Sequence, residues 1–451
     1  MIGKGELPVW RLPEGADFVL KRLHAEGYQA YVVGGCVRDT LLGKEPKDWD
    51  VCTNALPHEM QRVFADCHVI ETGLQHGTLT VMYNHEPFEV TTFRVDGEYT
   101  DHRHPDAVVF VADVKEDLSR RDFTVNAMAW SPETGVVDAF GGQEDLAAGV
   151  IRCVGEPEKR FGEDALRIMR ALRFASVYGF RIDPATDAAI HALKHTLADV
   201  AAERIRVELQ KLLCGGGAGD ILRAYRDVIF TLFPQLAPMD GFDQRTPHHL
   251  WDVWEHTVRA VENVPPTEVL RLTMLLHDCG KIAAFTVDDR GAGHAYGHEE
   301  QSVRIAEKVL ADLKVDNATR DRTLLLIASH GWPVTPDRRL LKRRLNQLGE
   351  DALRQLIEVK RADALATGTK DPAAVEAHRR ETLSALEALL AEKPCVTLRD
   401  MAVNGRDMLA LGAKGRAVGE ILQWLLEQVL DDALPNEREN LLAAARAHMD
   451  A

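Results

Sequence analysis

Seven cysteines in 451 residues, an odd number with no Cys-x-x-Cys and no regular spacing, leave no pattern for a disulfide framework and point to reduced thiols. No uninterrupted apolar run is long enough to span a bilayer. The opening residues, Met-Ile-Gly-Lys-Gly-Glu-Leu-Pro, lack the basic-then-apolar order of a secretory signal. A cytoplasmic protein with no membrane partner is the expectation. Internal repeats and low-complexity segments are also missing. So is an excess of positive charge: 54 Lys and Arg stand against 70 Asp and Glu, a formal net charge of −16. That balance argues against a surface coated for nucleic acid, but it leaves room for a local basic groove. The rest is ordinary for a globular chain, 45% hydrophobic and 27% charged. Its length calls for about two to four domains.

The stretch around which the chain is organised is Tyr31-Val-Val-Gly-Gly-Cys-Val-Arg-Asp-Thr-Leu-Leu-Gly43, followed by Lys47-Asp-Trp-Asp-Val51. Its β-branched start reads as a buried strand, Gly34-Gly35 breaks it, and Val37 to Leu42 opens a short helix. A glycine pair at a helix start leaves backbone N–H groups bare for an anion, and Arg38 adds a permanently charged planar donor beside them. Asp48 and Asp50 stand at i and i+2, on one face of an extended chain. Two converging carboxylates are costly unless a cation sits between them, and Mg²⁺ takes a few carboxylates together with phosphate oxygens. A phosphate cradle beside a Mg²⁺ site reads as a nucleotide-handling enzyme.

The flanking chain fits an α+β head. Ala16 to Glu26 and Pro57 to Ala65 read as helices, and Gly77 to Tyr83 with Pro87 to Arg94 as paired strands, the second carrying Glu89. Arg94 to Pro105 is polar, without periodicity, and reads as a loop. Asp117 to Trp130 reads as a helix with Phe123, Ala127 and Trp130 on one face and Arg121, Asp122 and Asn126 as polar groups. Beyond about Gly149 strand signals nearly vanish and the chain reads as helix throughout. Two segments concentrate basic residues: one with Arg152, Lys159, Arg160, Arg167, Arg170, Arg173 and Arg181, the other with Arg338, Arg339, Lys342, Arg343 and Arg344.

Arg160 to Ala175 reads as one helix on which Asp164, Arg167, Arg170 and Arg173 recur every third residue, so that neighbours meet on one face. The commoner fate of such an Asp–Arg pair is a surface ion pair contributing about a few tenths of a kcal/mol. Its chemistry also allows base selection. A carboxylate only accepts and a guanidinium only donates. Cytosine and adenine both present an exocyclic amine beside a ring-nitrogen acceptor, whereas guanine and uracil present a carbonyl and a ring N–H. An Asp/Arg pair would therefore accept C and A and leave buried groups unpaired against G and U, a discrimination of about 10⁴ or more.

Glycine pair, Arg-Asp and Asp-x-Asp together resemble the polymerase-β-like nucleotidyltransferase superfamily. With Arg121-Asp122…Asn126 and Glu163-Asp164-x-x-Arg167 in order, the N-terminal half resembles the class II CCA-adding enzymes. The resemblance implies template-independent addition of C, C and A to the 3′ end of tRNA from CTP and ATP, with no DNA partner. It implies Asp48, Asp50 and Glu89 as Mg²⁺-binding catalytic carboxylates. Gly34, Gly35, Arg38, Arg121, Asp122, Asn126, Asp164, Arg167, Arg170 and Arg173 would bind the nucleotide. The loop from Arg94 would help the pocket change from C to A. Bacterial poly(A) polymerases share much of this, but their Gly-Arg/Lys-Arg/Lys-Phe signature is missing. A CC-only, A-only or poly(A)-adding relative is the alternative within the class.

Leu275-Leu-His-Asp-Cys-Gly-Lys281 resembles the defining motif of the HD phosphohydrolases. With His256, His298 and Asp363 in family order, it implies a site for a divalent transition metal made of His256, His277, Asp278, His298 and Asp363, to which His330 is the weakest addition. Imidazoles and carboxylates suit such a metal. A metal phosphohydrolase is the alternative from another class. In the tail, Asn404-Gly-Arg-Asp407 and Leu411 to Gly419 read either as helix caps or as turns that hold RNA phosphates. The expected plan is a nucleotidyltransferase head of mixed sheet and helices (1–149), a helical neck with the nucleotide-selecting motif (150–220), an HD-type helical body (221–368) and a helical, tRNA-binding tail (369–451).

Overall fold

The computed structural model describes residues 10–96 and 108–450. The chain divides into two compact units, Met1–Pro234 and Gln235–Ala451.

The first nine described strands of the first unit are β1 (Ala30–Val33), β2 (Val51–Thr53), β3 (His68–Ile70), β4 (Thr78–Tyr83), β5 (Glu86–Thr92), β6 (Arg94–Asp96), β7 (Val108–Phe110), β8 (Met128–Ser131) and β9 (Gly135–Asp138), and two short ones, Val150–Ile151 and Arg181–Ile182, pair in parallel beyond the head. Seven of them form one sheet in the order β3-β4-β5-β2-β1-β8-β9, while β6 and β7 make a separate antiparallel pair. All neighbours in the large sheet are antiparallel except β2 and β5. The interior strand β1, Ala-Tyr-Val-Val, is buried at every position, as an apolar run covered on both faces should be. Helix α1 (Glu14–Ala25) buries Ala16, Val19, Leu20 and Leu23, the i, i+3, i+4, i+7 stripe of an amphipathic helix. Tyr31, Cys52, Phe93, Leu118, Ala127 and Ala129 share one apolar cluster. Each large side chain fully buried there contributes about 1.5–3 kcal/mol.

Three further helices of the head are α2 (Gly35–Leu41), α3 (Pro57–Val63) and α4 (Val114–Ser119), and α5 (Gly142–Ala148) closes it. There follow α6 (Pro157–Glu163), α7 (Leu166–Tyr178), α8 (Pro184–Leu193), α9 (Ala202–Leu213), α10 (Ala218–Ala224) and α11 (Arg226–Leu232). The second unit begins with α12 (Val253–Asn263), α13 (Glu268–Leu276), α14 (Lys281–Ala284), α15 (His298–Asp312) and α16 (Asn317–Ser329). It continues with α17 (Arg338–Leu348), α18 (Glu350–Ala366) and α19 (Pro372–Ala391), and ends in α20 (Gly405–Ala410), α21 (Ala417–Leu430) and α22 (Arg438–Asp450). The last three pack around Met408, Leu425, Leu426 and Leu441. No helix among the described residues is long and apolar enough to cross a membrane.

Four local expectations change. Asp117 to Trp130 is not one helix: α4 ends at Ser119, Thr124–Asn126 is a 3-10 turn, and Met128–Ser131 is β8, paired with β1 and β9. Arg160 to Ala175 is two helices, because Asp164 is extended (φ −147°, ψ 104°) and its carboxylate accepts the Leu166 N–H at 3.1 Å, starting α7 afresh. Asp48 and Asp50 lie just ahead of β2 rather than within a strand. Of the expected loop from Arg94, the first three residues are β6, and the part from 97 to 105 lies outside the described residues.

Candidate active site and histidine cluster

The register of the sheet brings the catalytic candidates together. Val51 of β2 pairs in parallel with Val90 of β5, which sets Asp50 beside Glu89, on the face opposite the two buried valines. The Val33 N–H donates to the Asp50 carbonyl at 3.0 Å, tying this corner to β1. Asp50 keeps solvent access, yet the protein around it desolvates it enough to push its carboxyl above the ordinary aspartate range. Arg121 works against that shift, and the Glu89 and Asp48 charges add to it. Three carboxylates thus share a corner with one guanidinium. Gly34 lies against that guanidinium: with φ +82°, a Cβ on it would stand 2.8 Å from Arg121 Nη1. Only glycine fits both the conformation and the space.

A chain of polar side chains runs from α2 to α9. Arg38 donates to Asn126 Oδ1, Asn126 donates to Asp122 at 3.0 Å, and Arg170 Nε donates to Asp122 at 2.7 Å. Arg170 also faces Glu208 at 4.0 Å, and Glu208 pairs with Arg173. Burial works to raise the Asp122 carboxyl, but Arg170 and the Asn126 amide outweigh it and hold it down at about 2. Arg38 is held between aromatic rings, its guanidinium carbon 5.1 Å from the Phe174 centroid and 4.9 Å from that of Tyr178. The Tyr178 hydroxyl donates to Asp39, which accepts from Arg38 Nε as well, each at 2.9 Å. Asp39 entered the sequence analysis only within the Arg-Asp motif, and neither Phe174 nor Tyr178 was placed in the site there. The i, i+4 spacing of the two rings, on the helix that carries Arg170 and Arg173, was the available signal.

Asp164 and Arg167 do not pair with each other. Asp164 bonds Arg204 at 2.8 Å, while Arg167 bonds Glu163 at 2.6 Å and the Arg160 carbonyl at 2.9 Å. Much of the remaining basic charge is also committed internally. Arg152 is paired with Asp145 and Asp183, and Arg160 with Glu163. In the second basic segment Arg338 meets Glu392, Lys342 meets Asp432 at 2.8 Å, and Arg343 meets Asp431. Arg344 lies over the Trp332 ring at 4.7 Å. Those ion pairs fasten α17 to chain near Glu392 and to the end of α21. At Asn404 the cap reading fits: its side chain accepts the Arg406 N–H, and Asp407 accepts the Asn404 N–H, each at 2.9 Å.

In the second unit His256, His277, Asp278, His298, His330 and Asp363 converge from five separate stretches of chain. His256 Nε2 lies 3.3 Å from His277 Nε2, 3.2 Å from Asp278 and 3.0 Å from Asp363. His298 Nε2 lies 3.1 Å from His330 Nε2 and 3.2 Å from Asp278. Asp278 thus belongs to two donor groups, one with His256, His277 and Asp363 and the other with His298 and His330. Within each group the donor atoms all lie within 4.8 Å of one another. The Nδ1 atoms of His277, His298 and His330 bond the Met274, Ala295 and Ile327 carbonyls at 2.8, 2.9 and 2.7 Å. Those bonds aim the three Nε2 atoms inward, the arrangement a metal ligand needs. Burial opposes charge on His277, but Asp278 and Asp363 outweigh it and push the imidazole up to about 10. Lys281 pairs with Asp278 at 2.7 Å. Gly280 lets the turn close: a Cβ there would fall 2.3 Å from the Ser302 nitrogen. His249, which the sequence reading passed over, packs edge-on to His256 with ring centroids 4.9 Å apart.

Three stretches of the chain match known families. Residues 30–152 match the poly A polymerase head domain, residues 179–239 the "probable RNA and SrmB-binding site of polymerase A", and residues 299–445 domain 2 of tRNA nucleotidyltransferase. The CCA-adding enzyme of Levilactobacillus brevis is 35% identical over 450 residues, covering 96% of this chain and 98% of its own. That of Leuconostoc mesenteroides is 47% identical over 232 residues, 51% of this chain and 57% of its own. The crystal structure of the Bacillus stearothermophilus CCA-adding enzyme in complex with CTP superposes with a TM-score of 0.69 at 29% identity, covering 97% of each chain. The chain belongs to the CCA-adding enzymes and is a tRNA nucleotidyltransferase.

Proposed function

We propose that this chain adds C, C and A in turn to the 3′ end of tRNA, without a nucleic-acid template, from CTP and ATP in the cytoplasm. The RNA 3′-hydroxyl releases its proton to water as its oxygen bonds the α-phosphorus, the bond to the α,β-bridging oxygen breaks, and pyrophosphate leaves with that electron pair. The observation that carries the reading is the register that sets Asp50 beside Glu89, with Asp48 and Arg121 at the same corner. Asp48, Asp50 and Glu89 would hold Mg²⁺, and their surplus negative charge fits such a cation. When bound, the ion supplies positive charge at the phosphate oxygens. Arg38, fixed by its aromatic clamp, and the Arg170–Asp122–Asn126 chain would orient the triphosphate and ribose. Gly34 and Gly35 would let the backbone approach them. Asp164 keeps acceptor capacity beyond Arg204 and the Leu166 N–H, because each carboxylate oxygen has two lone pairs. Arg167 would exchange one of its present bonds for the ring nitrogen of the base. The tail would take part in holding tRNA.

The test is incubation with tRNA ending before CCA and one labelled nucleotide at a time, with the products sequenced. Two C residues from CTP, and one A only after them, are expected. Long A runs would install the poly(A) reading, and a stop after C-C the partial one.

The histidine–aspartate cluster favours a second, separate reading: a metal-dependent phosphohydrolase in the second unit. Its inward Nε2 atoms and shared Asp278 fit a divalent transition metal, held by His256, His277, Asp278 and Asp363 and by His298 and His330. Such a metal supplies a hydroxide able to attack a phosphate ester.

A further inference from the structure

A cavity of about 440 Å³ opens between α18 and α19. None of the six residues of the histidine–aspartate cluster lines it. Val334, Ile357, Ala364 and Val375 supply apolar wall, and Lys360 and Lys370 supply positive charge. The two arginines at the margin are already neutralised, Arg361 by Glu376 and Arg379 by Glu358. Asp371 is occupied as the cap of α19, accepting the Ala373 N–H at 3.1 Å. Lys360 is different. Its ammonium donates to a neutral group, the His330 carbonyl, at 2.8 Å. Of the two carboxylates whose charge reaches it, Asp363 is turned toward His256 at 3.0 Å, and Glu299 acts more weakly. The cavity therefore combines apolar walls with two cations, Lys360 and Lys370, that make no ion pair within 4.0 Å among the described residues.

We propose that this cavity binds a small amphipathic anion: an apolar or aromatic body carrying one carboxylate, sulfonate or phosphate monoester. The volume is that of a small-molecule site, and such sites pair mostly apolar walls with a few placed polar groups. A neutral apolar ligand would leave the lysines unanswered. A triphosphate would bring more negative charge than two lysines offset, with Asp371, Glu358 and Glu376 nearby. The occupant would also touch the supports of the segment after His330, because Lys360 holds the His330 carbonyl and His378 holds that of Val334 at 3.2 Å.

The test is calorimetric titration of the full chain with 8-anilinonaphthalene-1-sulfonate as the anion and N-phenyl-1-naphthylamine as its neutral counterpart. One equivalent of the sulfonate should bind, and the neutral compound more weakly. Lys360→Met, which keeps the stem and removes the charge, should weaken the sulfonate about tenfold and leave the neutral compound within about twofold. Ala364→Phe should fill the cavity and remove both. Val375→Trp serves the same purpose should Ala364→Phe fail to show the parent's circular dichroism. Sulfonate binding that survives the filled cavity, that ignores Lys360→Met, or that no stronger than matches the neutral compound overturns the proposal.

Discussion

Replacing Asp122 by asparagine removes the charge at the middle of the polar chain while keeping its shape. Asp122 is only 7% exposed and accepts from Asn126, from the Phe123 N–H at 2.8 Å and from Arg170. Its carboxyl lies at about 2 against the ordinary 3.8, a gap that corresponds to about 2.5 kcal/mol of preference for the ionised form in the fold. Because the folded value is the lower one, that stabilisation is complete above the ordinary aspartate range. It is lost as pH falls from about 4 through about 2. Asp122→Asn should therefore lower the stability of the first unit by about 2–3 kcal/mol at pH 7, with Arg170 left to Glu208 alone at 4.0 Å. At pH 3 the difference from the parent should shrink to roughly half, since the unfolded parent has by then taken up most of its proton and the folded one has not. Urea unfolding followed by circular dichroism at both pH values measures it. An unchanged midpoint at pH 7, or a gap as large at pH 3 as at pH 7, would refute the electrostatic account.

Asp50→Asn or Glu89→Gln should cut C and A incorporation alike by about 10² or more while tRNA binding persists. Near-parent incorporation in Mg²⁺ would remove them from the centre. Arg167→Ala should narrow the kcat/KM ratios of CTP over UTP and ATP over GTP. It should also cost stability of about 1–3 kcal/mol, since its bonds to Glu163 and Arg160 are lost, so folded protein must be confirmed first. Unchanged ratios place base choice elsewhere. Tyr178→Ala, by freeing Arg38, should raise KM for CTP and ATP by one common factor of about 5–30, whereas Tyr178→Phe keeps the ring and should recover most of it. Unequal effects on the two nucleotides would show that Tyr178 acts on the base instead. His277→Ala/Asp278→Ala protein should purify with less divalent metal by elemental analysis yet still add CCA. Full metal content would make the cluster a structural coincidence, and lost addition in folded protein would show the two centres to be coupled.

The sequence was most legible where chemistry and local structure coincide. Tyr31 to Leu42 is strand, glycine turn and short helix, and the six histidine and aspartate candidates meet in space. Periodicity failed where tertiary pairing overrode it. Phe123, Ala127 and Trp130 have helical spacing, but Met128–Ser131 lies beside β1, whose buried backbone needs a partner on that edge. Asp164 fits a three-residue repeat, yet a carboxylate beside a free N–H caps a new helix more readily than it continues an old one. The basic run on α17 looked like a nucleic-acid face because Glu392, Asp431 and Asp432 lie about 50 to 90 positions away in sequence. No local pattern reports such partners.

The two carboxylate centres are balanced in opposite ways, and the difference bears on what each can do. Asp278 and Asp363 are held well below the ordinary range, chiefly by His277 and Lys281 for the first and by His256 and His277 for the second, against the burial that would raise them. Their counter-charge comes from within the protein, from the His256 and His277 imidazoles and Lys281. Asp50 lies on the other side of its ordinary value, raised by desolvation and by Glu89 and Asp48, with Arg121 opposing the shift. Arg121 is in turn shared with Asp117, 3.5 Å away. Among the described residues that corner is short of positive charge. A cation arriving with a nucleoside triphosphate, whose oxygens complete its coordination, would relieve the shortage at the moment the substrate is in place. A centre that charges only with substrate suits a transferase that must release pyrophosphate and reload between additions.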